Sequence, residues 1–355
     1  MPAKALSIYM GTEAAAQIAE QGWTPTAFSL LLGASGGPKW FILGQLDRLL
    51  FGDFLQRSQT PLSVLGSSIG SWRHACLAMK DPVKAIEALE QGYLHQHYAQ
   101  KPTIAEISEK SCQILAKVLG ETGAEDLVNH PRITTHIVTA RGRGPTGAAT
   151  TPMLATGMGA AALSNSLSRS LLPLSFQRVI FHSGHRADPK FDFRGFNTQY
   201  RSLSSASVNQ ALHASGAIPF VLTGERDIPG APLGQYWDGG IIDYHFDLRE
   251  YCGDGLILYP HFSANITTGW FDKFLPWRRF TLNEAKKLVL LCPSEEFVAS
   301  LPQGKIPDRS DFTLLEHEDR VRYWEQCIER SKILAEEFAQ LLDQHDPLKG
   351  VHILT

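Results

Sequence analysis

Two short strings in this chain hold residue types that can do chemistry: Gly66-Ser67-Ser68-Ile69-Gly70 and, far downstream, Asp238-Gly239-Gly240. The first follows the apolar run 61–65 and precedes a helix-compatible stretch through Met79. That is the strand–turn–helix context in which a G-x-S-x-G serine sits on a tight elbow with its hydroxyl free to attack. A serine hydroxyl is a weak nucleophile until a base takes its proton. Asp238, set at a glycine turn straight after Tyr236-Trp237, is a candidate for that base, although a turn aspartate ahead of glycines is also a common structural feature. A second match, Gly33-Ala34-Ser35-Gly36-Gly37, likewise follows an apolar run and precedes a helical pattern, so Ser35 and Ser68 compete for the nucleophile's place.

Composition narrows the class of protein around these strings. The 355 residues are 43% hydrophobic and 19% charged, enough apolar material to build a core. A formal net charge of −3 gives no electrostatic footprint for nucleic acid. Cys76, Cys112, Cys252, Cys292 and Cys327 are scattered singly without a C-x-x-C pair. They read as reduced core residues of a cytoplasmic protein rather than a disulfide or zinc framework. No metal-ligand spacing links His182, His185, His213, His245 and His261, which read as core or surface histidines. A P-loop fails because Pro38 separates Gly37 from Lys39 and Trp40 stands near where a magnesium-binding hydroxyl is needed. The N-terminus has no uninterrupted apolar h-region and no apolar run approaches a membrane span, so a soluble protein made without a Sec-type signal is expected. A non-cleaved signal for a dedicated secretion machine would leave no such trace.

The elements that must position the strings alternate short apolar runs with helical patterns. Strands are predicted at 27–32, 61–65, 134–139, 177–182, 256–259 and 287–292, a set suited to a mostly parallel sheet. Helices are predicted at 39–55, after Ser68, and from Asp81-Pro82, an N-cap with proline at the first helical position. Thr103-Ile104-Ala105-Glu106 opens another as a capping box, with Gly120 as its stop. The alanine- and serine-rich stretch 156–172 reads as a buried covering helix. Residues 314–342 read as one long amphipathic helix with Val321, Trp324, Ile328, Leu334, Phe338 and Leu341 on its apolar side.

Taken in order, three blocks of this chain resemble the patatin-like phospholipase family over about residues 27–247. Leu30-Leu31-Leu32, Ser35-Gly36-Gly37-Pro38-Lys39 and Leu43-Gly44-Gln45-Leu46 look like the family's glycine-rich oxyanion loop and following helix. Gly66 to Gly70 looks like its nucleophile elbow. Residues 211–219 leading to Tyr236-Trp237-Asp238-Gly239-Gly240 look like its helix-to-aspartate segment. The resemblance implies an α/β/α sandwich with a mostly parallel sheet, residues 1–310 as the catalytic domain and 311–355 as a helical C-terminal extension of it. It implies a Ser68–Asp238 dyad without metal or cofactor, an oxyanion hole from the Gly36 and Gly37 amides, and Lys39 at the usual basic position. Ser35 then becomes a loop residue, and Pro38, having no N–H, cannot donate. The implied activity is hydrolysis of lipid acyl esters of the phospholipase A or lysophospholipase kind.

The chain departs from the family pattern at Trp40, where a glycine is usual, and at Thr139-Ala140-Arg141-Gly142-Arg143, where an acidic residue is often seen. Arg141 and Arg143 are thereby candidates for a phosphate head group, with a solvated loop as the plainer alternative. The segment from Thr268 to Arg279 mixes two tryptophans and two phenylalanines with basic residues, suiting a lid, a peripheral membrane contact or buried packing. Two other readings stay open: an α/β-hydrolase esterase using Ser68, Asp238 and a histidine such as His261, and a non-catalytic lipid- or partner-binding protein on the same fold.

Overall fold

Short apolar runs with both faces covered have nowhere to go but the middle of a sheet, and this chain has six of them. The computed structural model describes residues 4–98, 101–184, 189–193, 195–278 and 280–355; His185 and Arg279 lie outside these. Its strands are β1 (Leu6–Met10), β2 (Phe28–Gly33), β3 (Leu62–Ser67), β4 (Ile133–Gly142), β5 (Phe176–His182), β6 (Gln199–Ser202), β7 (Glu225–Arg226), β8 (Gln235–Asp238), β9 (Leu256–Pro260), β10 (Leu288–Pro293) and β11 (His352–Ile353). They form one sheet in the order β11-β1-β10-β9-β2-β3-β4-β5-β6, with β8 pairing β4 and β7 pairing β8. From β10 through β9, β2, β3 to β4 every pairing is parallel. The fold is mixed α/β, a mostly parallel central sheet layered with helices.

Helix starts follow local chemistry. The Asp81 carboxylate accepts from the Lys84 N–H at 3.1 Å and opens the helix Pro82–Leu94. The Thr103 hydroxyl accepts from the Glu106 N–H at 3.2 Å and opens Ile104–Leu119, which ends at Gly120 with φ 54°. Three readings change. The predicted helix 39–55 is a 3-10 segment, Gly37–Leu43, followed by the α-helix Gly44–Gly52 and a further 3-10 turn, Phe54–Arg57. Residues 314–342 divide into Asp311–Leu314, His317–Arg330 and Lys332–Leu342. The break falls at buried Ser331, whose hydroxyl donates to the Ile328 carbonyl. Finally, the stretch 156–172, read as a buried covering helix, falls in the helix Thr151–Leu167 and the 3-10 segment Arg169–Leu174, and leaves Leu163 and Leu167 exposed.

Two further segments frame the site. The C-terminal helices belong to the main core: Trp324 is fully buried against Phe41, Tyr93 and Phe312, and β11 pairs with β1. Trp40 is buried and stacks on Phe41 with ring centroids 5.0 Å apart, which accounts for a bulky residue where a glycine was expected. Within 268–278, Asp272 is buried and accepts hydrogen bonds from Asn165, Arg169 and Arg278, pinning the segment to Thr151–Leu167 and the turn after it. Phe274 and Trp277 nevertheless stand 82% and 73% exposed, so the segment is not core packing.

Candidate active site

In parallel sheets the carboxyl ends of the strands are where loops can converge on a ligand, and three strands bring their ends together here. β2 and β3 run in register with Gly33 opposite Gly66, so the Ala34–Gly37 loop and the Ser68 elbow leave the sheet side by side. β8 returns antiparallel to β4 with Asp238 opposite Thr139. The elbow is tight. Ser68 has φ 56° and ψ −130°, a strained conformation for a residue with a side chain. A Cβ on Gly70 would lie 2.0 Å from the Gly33 carbonyl oxygen, so only glycine lets the following helix, Ile69–Leu77, approach β2. The Ser68 N–H donates to the Ser215 hydroxyl at 3.0 Å, and Ser215 donates onward to the Val138 carbonyl at 2.7 Å. Ser215, inside the third block of the sequence, thus ties the elbow to β4.

Ser68 Oγ donates to Asp238 Oδ2 at 2.7 Å, and Asp238 Oδ1 accepts from the Gly240 N–H at 2.7 Å. Both residues are largely buried, 5% and 6% exposed. Burial raises the Asp238 carboxyl from its ordinary 3.8 to about 6, held from rising further by the Ser68 hydroxyl, the Gly240 amide and the Arg309 and Lys273 cations. A carboxylate so placed is ionised at neutral pH yet basic enough to accept a proton. Ser35 also borders the site but is buried and has no carboxylate partner: its hydroxyl donates to Ser67 Oγ at 3.1 Å and its N–H to the Tyr244 carbonyl at 3.0 Å.

Gly36 and Gly37 sit at the start of the 3-10 segment, ahead of its own hydrogen-bond ladder, where N–H groups are free to meet an anion. Gly37 has φ 56°, a left-handed conformation that turns its amide and that side-chain-bearing residues avoid. Ser68, Asp238, Gly36 and Gly37 line one cavity of about 210 Å³, together with Lys39, Trp270, Lys273, Asp308 and Arg309.

Lys39 reaches the cavity, 3.5 Å from Asp308 and over the Phe262 ring. Arg141 and Arg143 do not. Arg141 donates to the Leu233 carbonyl and to the Gln177 side-chain oxygen, and Arg143 to the Pro173 carbonyl, so both guanidinium groups are engaged away from the cavity. His261 is buried against His245 and Phe262, and burial lowers its pKa to about 3; neither Ser68 nor Asp238 is among its partners. His213 pairs with Glu225, His245 accepts from the Thr267 N–H, and His182 packs against His136. Lys273 and Arg309 are cavity residues that sequence reasoning passed over. Lys273 lies in the aromatic segment already singled out, whereas no spacing signal marks Arg309 in the loop before Asp311.

No family model matches this chain, and no curated protein matches it. Among solved structures it is similar to VipD from Legionella pneumophila, at 15% identity and a TM-score of 0.32, over 92% of this chain and 71% of that one. Among the described residues no helix is long and apolar enough to cross a membrane.

Proposed function

We propose that this chain is a patatin-like serine hydrolase of lipid acyl esters, working through a Ser68–Asp238 dyad. The direct 2.7 Å hydrogen bond from the Ser68 hydroxyl to the Asp238 carboxylate carries the reading, because it puts nucleophile and base in contact with no imidazole between them. As Ser68 Oγ attacks the ester carbonyl carbon, its proton passes to Asp238 Oδ2. The carbonyl oxygen becomes an oxyanion facing the Gly36 and Gly37 amides. Collapse expels the alcohol, which takes the proton from Asp238 and leaves Ser68 acylated. Water then gives a proton to Asp238, attacks the acyl carbon and releases the carboxylic acid, and the proton returns to Ser68. The strained backbone at Ser68 and the preset amides spare the site reorganisation during the reaction.

The exposed Phe274 and Trp277, beside the Trp270 that lines the cavity, suit peripheral contact with the lipid surface that holds such a substrate. The test is a fluorophosphonate probe with peptide mapping, alongside hydrolysis of a p-nitrophenyl acyl ester. The adduct is expected on Ser68, with Ser35 unmodified and hydrolysis lost in Ser68→Ala. An adduct on Ser35, or undiminished hydrolysis in Ser68→Ala, refutes the assignment.

A further inference from the structure

Resting on that hydrolase reading, we propose that Lys39, Lys273 and Arg309 form an anion subsite beside the dyad, so that the preferred ester carries a negatively charged group close to its scissile carbonyl and is favoured over neutral and zwitterionic counterparts. Three cationic side chains from separate parts of the chain line the cavity that holds Ser68: the oxyanion loop, the aromatic turn, and the loop before the C-terminal helices. Two carboxylates share that space, and both have duties. Asp238 accepts from Ser68 and Gly240, while Asp308 faces Lys39 and accepts from the Ser310 N–H. Three cationic groups thus face two carboxylates.

The excess falls on Lys273 and Arg309. Among the described residues no carboxylate or carbonyl accepts a hydrogen bond from the Arg309 guanidinium, which lies 3.3 Å from where a Cβ on Gly37 would stand. A planar fork of N–H donors is therefore held next to the oxyanion loop without an acceptor, the arrangement that captures phosphate or carboxylate oxygens. Lys273 is an exposed residue, but its ammonium lies 3.6 Å over the Tyr244 ring. Burial of that end, then Lys39 and Arg309, lower its pKa to about 7 against the opposing pull of Asp238 and Asp308. A cation so crowded by other cations gains when an anion enters.

The experiment compares three monoacyl esters matched in acyl chain, whose alcohol portion bears a phosphate monoester, a hydroxyl or a phosphocholine. A fourth, bearing a carboxylate, separates a general anion site from one fitted to phosphate. Inorganic phosphate is also titrated as a competitor against the neutral ester. Wild type is expected to favour the phosphate and carboxylate esters by about tenfold or more in kcat/KM at low ionic strength, with phosphate competing. In Arg309→Gln, and separately in Lys273→Gln, that preference and the phosphate competition fall by about tenfold, through KM. Equal turnover of charged and neutral esters by wild type overturns the subsite. So does loss of both by the same factor in the variants, which would make these cations stabilisers of the oxyanion itself. If no ester is hydrolysed and Ser68 takes no fluorophosphonate, the hydrolase reading fails. Binding of inorganic phosphate by calorimetry, weakened in Arg309→Gln, then still decides the subsite by itself.

Discussion

Replacing Asp238 by asparagine removes a charge while keeping the shape of the side chain, and the same change is expected to damage turnover and stabilise the fold. The carboxyl titrates at about 6 in the folded protein against an ordinary 3.8. Between those values the native state holds a proton that the unfolded chain has released, so stability falls as pH rises through this window and the penalty is constant above it. The size is about 3 kcal/mol above pH 7 and roughly half that at pH 5. This is the net cost of burial after the help of the Ser68 hydroxyl, the Gly240 amide, Arg309 and Lys273. Asp238→Asn is therefore expected to exceed wild type in urea denaturation by about 1–3 kcal/mol at pH 8, with the gap shrinking at pH 5. Its esterase rate is expected to fall by about 10³-fold or more, because an amide cannot take the Ser68 proton. Wild-type turnover should in turn rise with pH through about 6 as Asp238 ionises. An asparagine variant no more stable than wild type at pH 8 would refute the charge argument, and one that retains its rate would refute Asp238 as base.

Two further changes probe the loop and the rim. In Gly37→Ala the new methyl meets only the ends of Arg309 and Tyr93, at 3.3 and 3.5 Å, so the folding cost is that of the left-handed backbone, roughly 1–2 kcal/mol. Turnover is expected to drop about 10²–10³-fold as the amide shifts; thermal denaturation with kcat checks this, and unchanged kcat in a folded variant removes the loop from the reaction. Replacing Phe274 and Trp277 by serine should weaken sedimentation with lipid vesicles by about tenfold or more while a short soluble ester is still hydrolysed; equal vesicle binding would free that face of any lipid role.

How much of this was legible before the structure depends on how local each determinant is. β2, β3, β9 and β10 are buried on nearly every residue, so their uniform apolar runs were sufficient to place them. β1 alternates buried and half-buried residues over five positions and runs antiparallel to β10, a pairing that no local pattern announces. β8, which delivers Asp238, is only Gln235–Asp238 long and owes its place to β4. The split at Ser331 lies at a residue that carries none of the glycine or proline signals used to end helices.

The same distinction runs through the site. Ser68 and Asp238 each sit in a glycine-bounded turn whose backbone demands are local, but Ser35 stands in a similar turn and turn aspartates are common, so it was the order of three blocks along the chain that singled the pair out. Arg141 and Arg143 had the right chemistry but the wrong surroundings: nearby carbonyls claim their donors, and a short charge cluster says nothing of what its donors will meet. Arg309 is the converse. It stands in an ordinary loop, and its place beside Gly37 follows from the packing of Phe312 on Trp324 and of Trp324 on Phe41, which brings the C-terminal helices up to the Gly36-Gly37 loop. The residues proposed as nucleophile and base are thus held in local turns, whereas the charges proposed to choose the substrate are delivered by tertiary packing. An Arg309 variant therefore tests a part of the site that no motif search can reach.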